Sequence, residues 1–392
     1  MAYAADISIS ALEADPYPIY ARLRREAPVA FVPAANIWFA TRWADVEAIG
    51  KQPDVFTAET VTSPVEISFG KPTILTSDGA VHKSLRMGIE PHYRPRKVME
   101  YIEALVRPIA EARLGNFASK GAAELMADYF EPISALSLAR SFGFRDIGTA
   151  ELRRWFHGLS QGAINYERDP ARQAISDETC REIDAAALPL LEKLRRAPDG
   201  SPLSHMLHDG MPEGETRTPE YILPTVKITL LGGMQEPGHG AGSTLVGLLQ
   251  NRDQLNALRA SMDAHLALAI EEGMRWVAPI GTIVRTAIED TEIGGAVIPS
   301  GAPVAAVLAS ANHDESRFAE PFRFNMFRGK LPQAAFGFGH HFCAGKHFAK
   351  AQMEIALRLL LEELPNIALA PGHVPQFQGW EFRAPISLHV TF

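Results

Sequence analysis

Cys343 is the residue in this chain best placed to do chemistry. It stands in F-G-F-G-H-H-F-C-A-G (Phe336–Gly345), directly ahead of a stretch with the recurrence of an amphipathic helix. A sulfur at a helix N-terminus faces unpaired N–H groups and the positive end of the helix dipole. Both favour the thiolate, the form that ligates metal. Gly337, Gly339 and Gly345 permit a tight turn, while Phe336 and Phe338 supply apolar cover that keeps water away. Cys180, flanked by Thr179 and Arg181 in a polar helical stretch, is expected to be inert. A zinc site from His340, His341 and Cys343 is disfavoured, because near-adjacent residues do not readily span a tetrahedron. The second segment of interest is G-G-M-Q-E-P-G-H (Gly232–His239). Pro237 cannot donate to the carbonyl of Gly233, so a helix running through it must loosen, and Gly232 and Gly233 leave space beside the chain.

The elements that must position these residues are mostly helices. From Ala344 to Leu364, Lys346, Lys350, Glu354, Arg358 and Glu362 recur every fourth position beside an apolar row of Phe348, Ala351, Ile355 and Leu359, and Pro365 stops the run. Similar patterns cover Tyr101–Phe117, Glu151–Gln161, Glu178–Arg195, Tyr221–Leu249 and Leu266–Trp276. Short strands are expected at Ala30–Val32, Ile37–Thr41, Ile283–Ala287, Val304–Ala309 and Ser387–Phe392. The fold class is therefore mainly α with minor β. Neither a fixed-period repeat nor a low-complexity linker cuts the chain, so residues 1–392 are read as one domain, with the turn-rich stretches at 197–202 and 209–219 as connections.

Composition bounds the function. At 46% hydrophobic and 21% charged, the chain is globular in character. Lys and Arg number 38 against 46 Asp and Glu, a net charge of −8, so nothing global favours nucleic acid. Two cysteines make neither a disulfide framework nor a four-cysteine cluster site, and a reducing cytoplasm fits them. Met1–Ala14 has no basic n-region and carries Asp6 and Glu13, so it does not read as an export signal, and no apolar run approaches a membrane span.

The cysteine segment matches F-G-x-G-x-H-x-C-x-G at every defined position, which resembles the haem-ligand loop of the cytochrome P450 family. The resemblance extends from D-P-Y-P-I-Y-A-R-L-R (Asp15–Arg24) to the terminal strand, and it implies the triangular P450 fold with haem b between the central helix and the cysteine loop. It makes Cys343 the axial thiolate, with Phe336, Gly337 and Gly345 shaping the loop. It also implies that His82, Arg86, Arg285 and His341 hold the two haem carboxylates. Among five E-x-x-R pairs, Glu272/Arg275 is the one that closes a helix before the cysteine loop. The resemblance joins it with Arg323 of E-P-F-R-F in a buried structural cluster. Most of the family carries A-G-x-[DE]-T in the central helix. Aligned on the glycine, Gln235 falls at the acid position and Glu236 at the alcohol position.

Q-E-P-G-H, together with H-D-G-M-P (His208–Pro212) and F-R-x-P-x-S-L-H-V-T (Phe382–Thr391), is similar to the P450 subgroup that O-demethylates guaiacol-type methoxyphenols. That likeness implies a pocket walled by Phe69, Ile280 and Phe382, with Ala163 where those enzymes carry Phe, leaving room for a second methoxy group as in syringol. It further implies a small aromatic substrate and electrons from NAD(P)H through a separate flavin or iron–sulfur reductase. Arg94, Arg96, Lys97, Lys346 and Lys350 are candidates for its docking patch. Two alternatives remain: a peroxygenase using H₂O₂ with Glu236 as base, and a non-catalytic haem sensor or electron carrier.

Overall fold

The computed structural model describes residues 2–60, 63–329 and 331–392. Seven helices build the site: α1 (Gly79–Tyr93), α2 (Pro95–Gly115), α3 (Thr149–Ala163), α4 (Pro219–Met234), α5 (Glu236–Gln250), α6 (Met262–Trp276) and α7 (Lys346–Glu363). Their limits follow local chemistry. Pro95 and Pro219 sit in the first turns of α2 and α4, where a missing N–H costs nothing, and the Thr218 side chain caps α4 by accepting from the Tyr221 N–H. The expected helix over Tyr221–Leu249 is in fact two, α4 and α5, joined at Gln235, because Pro237 removes the hydrogen bond that would have carried the helix through.

Helix α5 is buried from Glu236 to Leu249 and forms the centre of the molecule. Its small residues allow that position: a Cβ on Gly238 would come 2.7 Å from the carbonyl oxygen of Phe130. One apolar cluster runs from Phe69 to Val390 and takes in α2 through α7.

Among the described residues the minor β component is one five-stranded sheet and three smaller ones. Strands β1 (Val29–Val32), β2 (Ile37–Ala40), β3 (Phe56–Thr57), β4 (Ile283–Ala287) and β5 (Pro303–Ala306) form a sheet in the order β1-β2-β5-β4-β3. Only the β2–β5 pairing is parallel; Arg285 on β4 lies opposite Val304 on β5. The strand expected over Val304–Ala309 stops at Ala306 and turns into a short helix, Leu308–Ala311. No helix of the described residues is long and apolar enough to cross a membrane.

Candidate active site

The cysteine loop is closed on itself and bolted to a distant helix. The Gly337 N–H donates to Ala334 O at 2.8 Å and the Cys343 N–H to Phe336 O at 3.0 Å. Gly337 and Gly339 have φ of +73° and +69°, the left-handed region that glycine enters without strain. Gly339 also packs on the carbonyl of Gly50, at the end of the helix Trp43–Lys51, where any Cβ would collide with backbone. Phe338 meets Trp43 of the same helix edge-on, with centroids 5.3 Å apart.

Cys343 therefore sits just ahead of α7, enclosed by protein yet retaining accessible surface, because that surface faces an internal cavity. Burial pushes its thiol up, and this outweighs the N–H groups of Gly345 and Lys346 that pull it down. The helix terminus alone thus does not make the thiolate expected from sequence. A metal cation at the sulfur would, since a coordinated thiol is deprotonated outright.

The cavity, about 440 Å³, runs from Phe336, Gly337, Cys343 and Gly345 on one side to Gly232, Gly233, Glu236 and Pro237 on the other. Its cationic edge comes from α1, β4 and the cysteine loop. The ligand atoms of His82, His340 and His341 lie within 4.8 Å of one another, and His82 Nε2 is buried with no hydrogen-bond partner among the described residues. Arg285 is 3% exposed, donates to its neighbour Val284 O at 2.7 Å, and has no carboxylate partner among the described residues. Burial pulls His82 down to about 3 and Arg285 to about 10. A buried guanidinium and an orphaned imidazole beside an enclosed thiol suit an iron porphyrin bearing two carboxylates. The residues present fit haem.

At the α4–α5 joint, Gln235 takes φ −118° and ψ −27°. The Glu236 Oε2 accepts from the Gln235 N–H at 3.2 Å, whereas Oε1 is buried without a partner among the described residues. Burial raises the Glu236 carboxyl to about 8, so it is mostly protonated at neutral pH. A Cβ on Gly232 would meet nothing within 4 Å, the space expected beside the chain, whereas one on Gly233 would come 3.1 Å from Leu138 Cδ2, so the space expected there is filled.

Behind the loop, Arg275 Nε and Nη2 hold Glu272 at 2.7 and 2.8 Å, and the remaining guanidinium nitrogen donates to Asn312 O and Pro321 O. Both side chains are at most 5% exposed.

The family model for cytochrome P450 matches residues 258–373. The cytochrome P450 monooxygenase PikC of Streptomyces venezuelae is 30% identical over 375 residues, which span 92% of this chain and 87% of PikC. The chain belongs to the cytochrome P450 family. Cytochrome P450 109 of Bacillus spizizenii is 29% identical over 352 residues, 88% of this chain and 84% of that protein. The crystal structure of the versatile cytochrome P450 enzyme CYP109B1 from Bacillus subtilis superposes with a TM-score of 0.83 at 25% identity, covering 97% of this chain and 100% of that one. P450 monooxygenase activity, with haem as cofactor, follows from membership.

Within this P450 cavity the structure brings together Gly232, Gly233, Glu236, Pro237, Arg86, Arg285, Phe336, Gly337, His341, Cys343 and Gly345, and on the substrate side Ala163, Ile280 and Phe382. Ile280 and Phe382 are bridged by backbone pairing. Four expected residues stand elsewhere. His82 is off the cavity wall, its ring tilted on that of His341 with centroids 4.0 Å apart. Phe69 is turned into the apolar core, and its neighbours Val65 and Ile67 line the cavity instead. Gln235 is buried at the joint without reaching the cavity. Arg323 is 65% exposed and pairs with Glu320 at 3.7 Å. Arg328 occupies the place foreseen for it, with Nε 3.4 Å from Glu272 Oε1. Arg323 joins that cluster only through its carbonyl, which accepts from Arg275 and Arg328.

Sequence reasoning also missed Asp78. Its Oδ1 accepts from His340 Nε2 at 2.8 Å and His341 Nε2 at 2.9 Å, and its Oδ2 from Thr57 Oγ1 at 2.6 Å and the Ala58 N–H at 2.7 Å. Burial would raise this carboxyl, but the hydrogen bonds from His341, Thr57 and His340 win and hold it well below the usual range. His341 is thus oriented by Asp78, and Arg86 ties α1 to the loop by donating to Phe342 O at 2.9 Å. The position of Asp78 just ahead of α1 gave no signal, since a residue there reads as a helix cap.

Proposed function

We propose that this P450 oxidatively O-demethylates a methoxyphenol of the guaiacol or syringol type, releasing formaldehyde and a catechol-type phenol. The observation that carries the reading is the cavity itself. Ala163, Ile280 and Phe382 line one apolar chamber with Glu236, and the joint at Gln235 opens the central helix beside it.

Cys343 would hold haem, with His82, Arg86, Arg285 and His341 toward its carboxylates, and the bound group would supply dioxygen activation and oxygen-atom transfer to a C–H bond. The protein does the rest. Phe382, set edge-on against Phe156 at 5.9 Å, and Ile280, bridged to it, present an apolar wall that a substrate ring stacks on. Glu236 stores a proton at its buried carboxyl and can give it up inside the cavity. Three positions on, His239 lies 3.8 Å from Glu131 Oε1, and the half-exposed Arg153 pairs with Glu131 at 2.9 Å. With dioxygen, two electrons and two protons, one oxygen atom enters the O-methyl C–H bond and the other leaves as water. The resulting hemiacetal falls apart to formaldehyde and the phenol.

In this reading electrons come from a separate NAD(P)H-dependent reductase, the arrangement typical of the family. Arg94, Arg96 and Lys97 are exposed at the start of α2, which meets the start of α7 through Tyr101 and Phe348, centroids 6.3 Å apart. Lys346 lies over Phe342 and is partly exposed, whereas Lys350 is spent on Glu271. Peroxide-driven turnover with Glu236 as base is the second reading; it needs the ionised carboxylate and so would be confined to pH near or above 8. The test is a panel of methoxyphenols supplied with reductase or with H₂O₂, scored by formaldehyde. Stoichiometric formaldehyde from guaiacol or syringol supports the reading, and none from any member refutes it.

A further inference from the structure

A second buried carboxylate faces the cavity. Glu381, next to Phe382, is 6% exposed and lines the chamber together with Tyr166 and Thr282. Its Oε2 accepts from Thr282 Oγ1 at 2.7 Å and its Oε1 from the Tyr166 hydroxyl at 3.0 Å. The backbone on either side is pinned: the Gly281 N–H donates to Glu381 O at 2.9 Å and the Arg383 N–H to Pro279 O at 3.0 Å. The side chain therefore has a defined place on a rigid segment, and Tyr166 is itself steadied against Trp380 at 6.0 Å.

A carboxylate offers about four acceptor positions, and the two neutral hydroxyls fill two. No lysine or arginine pairs with it among the described residues. Arg383, two positions on, donates to Gly379 O and Asp15 instead, and its Nε is buried without a partner among the described residues. A buried carboxylate without a cation is costly to fold. Thr282 and Tyr166 offset part of that cost and fix the direction of the remaining lone pairs. Beside it on the lining stand the apolar side chains of Ile280, Phe382 and Ala163, and among the chamber's carboxyls Glu381 is the one held in place by two hydroxyl donors.

We propose that Glu381 is the polar anchor of the substrate pocket, accepting a hydrogen bond from an O–H donor on the ligand's aromatic ring and so selecting phenols over the corresponding ethers. The anchor gives the methoxyphenol reading a reason for the free hydroxyl, and in that application it rests on that reading. Tyr166 and Thr282 are positioning residues that act through Glu381.

The test is titration of the haem-loaded enzyme with two matched pairs, followed by the ligand-induced absorbance change. Guaiacol is compared with 1,2-dimethoxybenzene, and 4-phenylphenol with 4-methoxybiphenyl. The second pair lacks the ortho-methoxyphenol motif and so tests the anchor independently of the proposed reaction. Wild type is expected to bind each phenol at least tenfold more tightly than its ether. Glu381→Leu should bring both ratios below threefold, Glu381→Gln should lower each at least threefold, and Tyr166→Phe should leave the preference in place. Equal affinities for phenol and ether in both pairs, a preference that survives in Glu381→Leu, or no binding of either phenol would overturn the proposal. Loss of the preference in Tyr166→Phe would overturn it in favour of Tyr166 as the contact. If the Leu variant fails to fold, an unchanged preference in Glu381→Gln overturns it. A preference confined to the biphenyl pair, with guaiacol neither bound nor turned over, supports the anchor and removes the methoxyphenol reading alone.

Discussion

Replacing Glu236 by Gln should change how stability depends on pH, and the size of the change follows from the burial of one carboxyl. Its ordinary value of 4.5 is raised to about 8 in the folded protein because ionisation there is opposed by desolvation, while the only hydrogen bonds to it come from nearby backbone N–H groups. Below pH 4.5 the group is protonated folded or unfolded and contributes no difference. Above that, the unfolded chain releases the proton first, and each pH unit costs the native state about 1.4 kcal/mol. The loss runs until the folded group also ionises near pH 8, summing to about 5 kcal/mol, and is flat beyond. Gln reproduces the shape of the protonated acid and cannot ionise, so the variant should gain on wild type steadily between pH 5 and 8. Glu381, raised to about 7 by the same cause, contributes identically to both proteins and cancels in the difference. Urea unfolding of the two haem-loaded proteins, followed by tryptophan fluorescence at each pH, measures that difference directly. A gap that stays constant within about 1 kcal/mol from pH 5 to 9 would refute the buried, protonated Glu236.

Four further outcomes are expected. Cys343→Ser should abolish the long-wavelength absorbance of the reduced carbon monoxide complex, and an unchanged band would remove Cys343 as the ligand. Arg328→Ala strips a guanidinium from buried Glu272 and from the carbonyls of Ala319, Glu320 and Arg323, and should cost about 3 kcal/mol in urea unfolding. Arg323→Ala removes only an exposed pair with Glu320 and should cost less than about 1 kcal/mol, so equal losses would contradict the assignment of the cluster. Ala163→Phe, at the end of α3 and 7% exposed, should overpack the chamber and abolish binding of syringol while sparing guaiacol; equal loss of both would place residue 163 outside the pocket.

What could be read from the chain beforehand was whatever is written in local pattern. The cysteine loop combines fixed glycines, aromatic cover and a helix start within ten residues, and the proline break at Pro237 follows from one missing N–H. Long-range side-chain direction was not legible. Phe69 and Val65 lie on one short helix, and which of them faces the chamber depends on how that helix is rolled against its neighbours. Arg323 and Arg328 are both plausible partners of Glu272, and the choice is made by the turn through Glu320, whose φ of +45° swings Arg323 outward. Glu381 and Asp78 carried no periodic signal, because their partners are remote in sequence.

The fastening of the cysteine loop has a consequence for how the molecule comes into being. Asp78 grips His340 from 262 positions away, Arg86 holds Phe342 from 256, and Gly339 rests on Gly50. None of these clasps exists while the ribosome is still making the middle of the chain, and closing such long loops is entropically slow. The earlier residues must therefore wait with an unfinished surface until Phe336–Gly345 has been made. Haem capture is thereby deferred until that segment has emerged, so that a chain cut short ahead of it would not acquire the pigment.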